Sequence, residues 1–558
     1  MGELREAIAG AVQELFSAKV EVALERPEEQ FGDYSTNIAM QLAGQLKQSP
    51  KELADKLATE IGKLDFVEKA EVAGPGFINI TLTDQALLAS LDNKPAKPLK
   101  GQTVVAEYSD PNPFKVLHVG HLYTSVVGDA ISNLLENAGA KVYRVNFGGD
   151  VGLHVAKAMW GIKAKLGSWD YKAIRSMPED GFVEWLGEQY ILGSFAYGEE
   201  EKEWGKAPEE IKEINLQIYK ILKDNDQNSP IAKVYWEARK RCYGYFEKFY
   251  AKIGTHFDKY YPESVCVEPG LKAVKENMGK VFEESDGAVV FKGETHNLHT
   301  RVFINSDGLP TYETKDIGLL LNKWRDYHFD RSVVITGNEI YEYMQVVLKA
   351  VEQFEPELVK KTAHITHGMV KMAGAKKMSS RKGDVIRAED VIDVAQTAAK
   401  QLASSNNFEI ALGAIKYSFL KSRIGADIIF DPAESVSLEG NSGPYLQYAH
   451  ARASSILAKA KKDSRLETRD SRLEQAERSL TRKLGQYAET VENAANELLP
   501  SHICTYLYEL TQAFNRFYES SRVIDDPRQA IRLKLVGKYA ETLNSGLNLL
   551  GIAAPEKL

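Results

Sequence analysis

Cysteine is nearly absent: Cys242, Cys266 and Cys504 are the only three in a chain of 558 residues. They stand far apart with no C-x-x-C pair, which excludes a disulfide framework, a zinc ribbon and a dithiol redox centre. No apolar run is long enough to span a bilayer, and no charged-then-apolar leader stands at Met1. A reducing cytoplasm is therefore the expected compartment, and a membrane is not an expected partner. No G-x-x-x-x-G-K-[ST] loop occurs, which removes P-loop chemistry. Excess positive charge is missing too. The formal net charge is −8, which argues against indiscriminate coating of DNA or RNA, because such binding is driven by neutralising phosphates. Basic residues crowd two stretches only: Lys371, Lys376, Lys377, Arg381, Lys382 and Arg387, then Arg516, Arg522, Arg528, Arg532, Lys534 and Lys538. Taken alone, such runs read as solvated faces.

What is present is the material of a soluble globular protein, 44% hydrophobic and 27% charged, long enough for three or four domains. Residues 1–95 read as a small α/β domain. Helical patterns cover Glu3–Leu15, Ser35–Leu46 and Pro50–Ile61, and strands follow at Ala70–Ala73 and Phe77–Leu82 about a Gly74-Pro75-Gly76 turn. A linker with Pro95 and Pro98 comes next. Residues 101–390 read as a Rossmann-type domain. Thr103–Ser109 is a short apolar strand, and Leu122, Val126, Ile131, Leu134 and Leu135 recur at helical spacing up to Gly139. Lys141–Phe147 is the next strand, so the unit is βαβ with a right-handed crossover. A helical insertion around residues 156–257 interrupts the alternation. Strand signals return at Ala288–Phe291, Arg301–Asn305, Ser332–Thr336 and Ala363–His367. Residues 391–558 are helical. The expected class is α/β: a parallel-sheet catalytic core, a small N-terminal α/β domain and a C-terminal all-α helical bundle.

Two short elements carry chemistry. His118 and His121 open the helix after the first core strand, three residues apart and so on one face. A helix N-terminus offers unpaired N–H groups and partial positive charge, which suit phosphate. Gly120 between them lets a flat base approach the backbone. Surface histidines, or two metal ligands, are the plain alternatives; no third ligand stands nearby. The second element, Lys377-Met378-Ser379-Ser380-Arg381-Lys382-Gly383, follows the last strand and precedes a helix. A basic loop there can close over nucleotide phosphates, where catalysis needs cations and donors rather than a covalent nucleophile.

In this order and setting the two elements resemble the signature pair of class I aminoacyl-tRNA synthetases. The resemblance implies ATP binding by His118, Gly120 and His121, and transition-state stabilisation by Lys377, Met378, Ser379, Ser380 and Arg381. The second motif departs from the family's K-M-S-K-S form, with Ser380 at the position of its second lysine. Lys115, just ahead of His118, is the candidate for the missing charge.

Flanking residues narrow the family. Glu107-Tyr108-Ser109-Asp110-Pro111-Asn112-Pro113, Gly148-Gly149-Asp150-Val151-Gly152 and Tyr312-Glu313-Thr314-Lys315-Asp316 resemble arginyl-tRNA synthetases, and the likeness runs nearly end to end. A guanidinium is planar, always charged and has five donors, so its pocket needs converging carboxylates. The resemblance implies that Glu107 and Asp316 hold it, that Tyr312 lines the wall, and that Asn112 takes the α-amino and carboxylate end. Asp110 stands where serine is usual, and Glu339 where glutamine is usual; both add negative charge near the substrate.

At the ends of the chain, Gly32-Asp33-Tyr34 and Phe77-Ile78-Asn79 resemble the family's N-terminal domain, which contacts the tRNA D-loop. Phe77 and Asn79 are the candidates there, with core packing of Phe77 an equal alternative. Gly443–Arg452 and Phe514–Glu519 resemble the anticodon-binding domain, where Tyr445, Tyr448 and Tyr518 are candidates for stacking on bases.

The resemblance implies ATP as a substrate, Mg2+ carried with it, no zinc, and L-arginine and tRNA(Arg) as partners, with neither DNA nor membrane; a monomer is expected. Another class I synthetase, a nucleotidylyltransferase sharing the H-x-G-H core, and an inactive RNA-binding protein are the alternatives.

Overall fold

A computed structural model describes residues 2–198, 205–373, 386–400, 407–460 and 472–557. The N-terminal unit packs the helices Gly2–Phe16, Ile38–Leu46 and Pro50–Ile61 with an antiparallel sheet of β1 (Tyr34–Thr36), β2 (Val67–Ala73) and β3 (Phe77–Leu82), in the order β1-β3-β2. Leu4, Ile8 and Val12 recur at helical spacing and are buried against Ile78 and Ile80. Alternation does the rest: Ile78, Ile80 and Leu82 point into the core, and Phe77 and Asn79 lie on the other face. Tyr34–Thr36 differs from the expected helix start at Ser35. Three residues are too few for a strand period to show, and the register Ser35↔Asn79 is set by a partner far along the chain.

The catalytic unit is built on five parallel strands: β4 (Thr103–Glu107), β5 (Lys141–Gly148), β6 (Lys259–Pro262), β10 (Arg331–Gly337) and β11 (Thr362–His367). Their order is β11-β10-β4-β5-β6. The chain starts at β4 and builds outward through β5 to β6. It then returns to the other side of β4 to lay down β10 and β11. The crevice at the carboxyl ends of β4 and β10 is thus the point where strand order reverses, the place where doubly wound sheets bind ligands. The central strands β4 and β10 are buried over most of their length on both faces, as parallel strands covered by helices require, while β6 and β11 at the edges are only half-buried.

Between β5 and β6 run the helices Leu153–Leu166, Tyr171–Ser176, Phe182–Ala196, Ala207–Asp224 and Pro230–Ile253. Asp150, fully buried just after β5, ties this helical layer down. It accepts from Arg239 Nε at 2.8 Å and from Ser264 N at 2.9 Å. A small antiparallel sheet of β7 (Glu283–Ser285), β8 (Ala288–Phe291) and β9 (Arg301–Ile304) precedes the helix Tyr312–Tyr327.

The rest is helical apart from a short parallel ribbon, β12 (Val370–Met372) with β13 (Ile428–Phe430). Helices Gly443–Lys459, Ser501–Ser520 and Gln529–Leu549 share a core in which Phe514 and Tyr539 stack at 3.8 Å. The expected solvated basic face over 516–538 is partly otherwise. Arg528 and Arg532 are spent on Glu477, whose carboxylate is buried, with Nε–Oε1 distances of 2.9 Å each. Among the described residues no helix is long and apolar enough to cross a membrane.

Candidate active site

The site grows from the end of β4. His118 is the N-cap of the helix Val119–Asn137. Its Nδ1 accepts from Gly120 N at 3.1 Å, and His121 Nδ1 accepts from His118 N at 3.1 Å, a reciprocal capping box made by two histidines. Both rings are held neutral. Burial, then the Lys115 charge, pulls His118 down to about 4; burial, then His118 and Lys115, pulls His121 well below its ordinary value. A neutral imidazole whose Nδ1 accepts must carry its proton on Nε2. Each ring therefore keeps an Nε2–H donor at the positive end of a helix. Glycine at 120 has a further reason: a Cβ there would stand 2.9 Å from two atoms of the His118 ring.

Lys115 lies over the Tyr190 ring, with Nζ 4.2 Å from its centre, and its charge is felt by His118, His121 and His154. Residues 377–381, including Lys377, Met378, Ser379, Ser380 and Arg381, lie outside the described residues. The chain on their far side is fixed here: Val119 N donates to Ile386 O at 2.9 Å, and Ala388 N to Leu117 O at 3.0 Å.

Beside this, the loop Tyr108–Leu117 carries Asn112, whose Oδ1 accepts from Gly149 N at 2.8 Å. The Gly149 carbonyl accepts from His154 Nε2 at 2.6 Å. Burial keeps His154 neutral, down to about 3. Asn112 is thus oriented with its amide N–H groups free of Gly149. Gly149 admits no side chain, since a Cβ would stand 2.4 Å from Asn112 Oδ1 and 3.0 Å from Glu263 Oε1. Glu263 is buried and paired with Lys315.

Glu107 and Asp316 line one narrow cavity with Leu319, Val334 and Met344. Tyr343 donates to Asp316 Oδ2. Burial, reinforced by Glu107, Glu263 and Glu313, pushes the Asp316 carboxyl up to about 8. Asp110 accepts from Phe147 N at 2.7 Å; burial and then Glu107 push its carboxyl well above the usual range. Three carboxyl groups crowd together here with one buried ammonium, Lys323, which is paired to Glu107, so negative groups outnumber positive ones and a further cation is favoured. Tyr312, at the start of the same helix as Asp316, is 54% exposed, with Lys315 Nζ 4.4 Å from its ring centre. Glu339 is not with this group. It sits on the exposed turn after β10, where its charge acts on His367.

Donors at a helix start suit phosphate, and buried carboxyl groups suit a cationic side chain. Comparison with known proteins gives the family. The family described as "tRNA synthetases class I (R), catalytic domain" matches residues 83–431. The chain belongs to the class I arginyl-tRNA synthetases. The arginyl-tRNA synthetase N-terminal domain matches residues 2–82, and the DALR anticodon-binding domain residues 446–558. Among curated relatives, the arginine–tRNA ligase of Clostridium perfringens is 30% identical, covering 95% of each chain. That of Flavobacterium psychrophilum is 29% identical, covering 92% of this chain and 90% of its own. The solved arginyl-tRNA synthetase of Thermus thermophilus is similar over 100% of both chains, with a TM-score of 0.80 and 26% identity.

Within this synthetase the two terminal units meet. Asp33, buried in the loop before β1, accepts from Arg478 at 2.7 Å and from Leu82 N at 2.8 Å, and lies 3.3 Å from Arg482. Gly32 precedes it with φ +104°, where a Cβ would meet Ile80 O at 2.8 Å. Gly32-Asp33-Tyr34 therefore serves as a docking clamp on the helix Gln475–Leu484. Phe77 is half-buried on the outer sheet face and not in the core, beside Asn79. Tyr445 is half-buried, and its hydroxyl accepts from Asn515 at 2.8 Å. Tyr448 is 47% exposed, and the Arg452 guanidinium lies 4.4 Å over the Tyr518 ring. Tyr445 and Arg452 thus join the helix Gly443–Lys459 to the helix that carries Tyr518.

Sequence reasoning missed Glu263, His154, Lys323 and Tyr343. Lys315 lay unremarked inside a motif already singled out. Glu263 and Tyr343 carry no pattern of their own, and only the fold brings them to the carboxyl ends of β4 and β10.

Proposed function

We propose that this arginine–tRNA ligase reads its amino acid between Glu107 and Asp316 and activates it beside the two capped histidines. The observation that carries the reading is that Glu107, the last residue of β4, and Asp316, on the helix packed over the sheet, line one cavity. The guanidinium fork donates to Glu107 and Asp316, with Tyr312 along its stem and the buried Asp110 carboxyl close to Glu107. Asn112 amide N–H groups face the α-carboxylate end, and buried Glu263 lies on the side suited to the α-ammonium.

ATP enters with Mg2+ as its counter-ion. Among the described residues no group of three His, Cys, Asp or Glu side chains is arranged to hold a metal. An arginine carboxylate oxygen attacks the α-phosphorus; the new C–O–P link forms and pyrophosphate leaves with the bonding pair. His118 and His121 Nε2–H groups, the helix N-terminus and Lys115 stabilise the charge that develops, together with Lys377, Ser379, Ser380 and Arg381. A 3′-terminal ribose hydroxyl of tRNA(Arg) then attacks the adenylate carbonyl, and AMP leaves. Phe77 and Asn79 meet the D-loop, and Tyr445, Tyr448 and Tyr518 meet the anticodon. The enzyme works as a cytoplasmic monomer. Aminoacylation with arginine and ATP varied in turn, the other substrates saturating, tests the pocket: E107Q and D316N raise the arginine KM by about tenfold or more and leave the ATP KM in place. Unchanged arginine KM in both variants overturns it.

A further inference from the structure

Lys323 is an oddity in this pocket. It is a lysine only 1% exposed, on a helix that buries Ile317, Leu319 and Leu320 along with Lys315 and Asn322. Its ammonium donates to Glu107 Oε2 and, at 3.2 Å, to Ser332 Oγ. The direction of the helix gives this a meaning. Asp330, just past the helix end, is bonded to Thr103 at the start of β4, with N–O distances of 2.8 Å in both directions. Tyr312–Tyr327 therefore runs antiparallel to β4 and β10. Asp316 sits toward the carboxyl ends of the strands, and Lys323 two turns below it on the same helix face. Glu107, the last residue of β4, lies between them. Asp316, Glu107 and Lys323 all line the same cavity.

We propose that Lys323 is the positioning residue of the arginine pocket: it forms the floor, fixes one oxygen of Glu107, and leaves the other oxygen aimed at the incoming guanidinium. The inference rests on the reading of Glu107 as a guanidinium acceptor. A carboxylate with both oxygens free would rotate and offer no fixed geometry to a planar fork; one oxygen tethered from below sets the plane. The floor charge also limits depth. A substrate cation that reached past Glu107 would meet an ammonium, so the cationic end is held at the level of Glu107 and Asp316. Ser332 on β10 fixes the ammonium in turn, at the amino end of the strand and away from substrate.

The test is aminoacylation kinetics with arginine and ATP varied in turn, the other substrates saturating, for K323M, K323R, E107Q and the double variant E107Q/K323M, which removes both buried charges together. The expected result is an arginine KM raised about tenfold or more in K323M, with kcat and the ATP KM within about threefold of the parent, and recovery of most of the loss in K323R. If K323M is too unstable to assay, K323R and E107Q/K323M decide: the double variant folds and has the arginine KM of E107Q. A raised arginine KM in E107Q beside an unchanged one in K323M overturns the role of Lys323. So does an equal rise in the arginine and ATP KM values of K323M, or a double variant with a far higher arginine KM than E107Q. An unchanged arginine KM in E107Q overturns the reading of Glu107 itself.

Discussion

The imidazoles of His118 and His121 stack with ring centres 3.7 Å apart and planes 24° apart, each Nδ1 engaged by the backbone of the same helix start. The pair caps the helix and aims two Nε2–H groups outward at once. Replacing His118 by alanine removes a phosphate donor and the cap together. Pyrophosphate exchange should fall about 100-fold or more, while the arginine KM stays near that of the parent. A loss under threefold would contradict the donor role. Both rings titrate well below neutrality, so no activity limb from them is expected between pH 6 and 8.

Lys115 tests the substitution of Ser380 for a lysine. Lys115→Ala should lower the rate of adenylate formation about 10-fold or more, with little change in melting temperature, since the side chain rests on Tyr190 at the edge of the site. Single-turnover kinetics measure it. An unchanged rate removes Lys115 from the phosphate site.

Asp316 predicts a pH dependence. Its carboxyl holds a proton below about 8 in the free enzyme, whereas a bound guanidinium needs the carboxylate. Arginine binding should therefore release a proton below pH 8, and affinity should rise with pH and level off above it. The sign for folding is opposite: an acid raised above its unfolded value is a stabilising proton site at low pH, and that contribution is lost as pH climbs from about 4 to 8. Calorimetry at pH 7 in buffers of different ionisation enthalpy measures the proton count. D316N should abolish both the release and most of the affinity.

The clamp between Asp33 and Arg478 couples the two ends of the chain. Removing one member of a buried ion pair costs about 3–5 kcal/mol. D33A should therefore speed hydrogen exchange in both the N-terminal unit and the helix Gln475–Leu484, and raise the tRNA KM. Exchange confined to the loop at Asp33 would show that the clamp is local only.

Tyr448 and Tyr518 offer aromatic faces beside Arg452. Loss of one stacked base costs about 1–3 kcal/mol, so Tyr448→Ala should raise the tRNA KM roughly 5- to 150-fold and leave the KM values of arginine and ATP alone. Tyr445→Ala should cost stability as well, because Asn515 loses its acceptor. Filter binding and thermal melts separate the two effects.

The helix after β4 was legible in the sequence because its apolar period is long and Gly139 closes it with φ +97°. Pro50–Ile61 and Ala288–Phe291 were legible for similar local reasons. β6 was not. Lys259–Pro262 is a four-residue edge strand with a charge and a proline, and its pairing with β5 comes after more than a hundred intervening residues. The three-residue strands β1, β7, β12 and β13 were missed because no period shows over so short a span. In the site, residues inside quoted motifs, such as Asn112 and Asp316, could be read from their neighbours. Lys323 could not. A lysine in an amphipathic helix reads as solvent-facing, and only the packing of that helix on β4 and β10 turns it inward to Glu107.

Pyrophosphate exchange with each of the common amino acids, in the presence of tRNA and Mg·ATP, tests the central claim most directly. The account predicts exchange with arginine, little with lysine, and loss of the arginine signal in D316N. Exchange with lysine or cysteine but not arginine, or a D316N variant that keeps the parent's arginine signal, would contradict it.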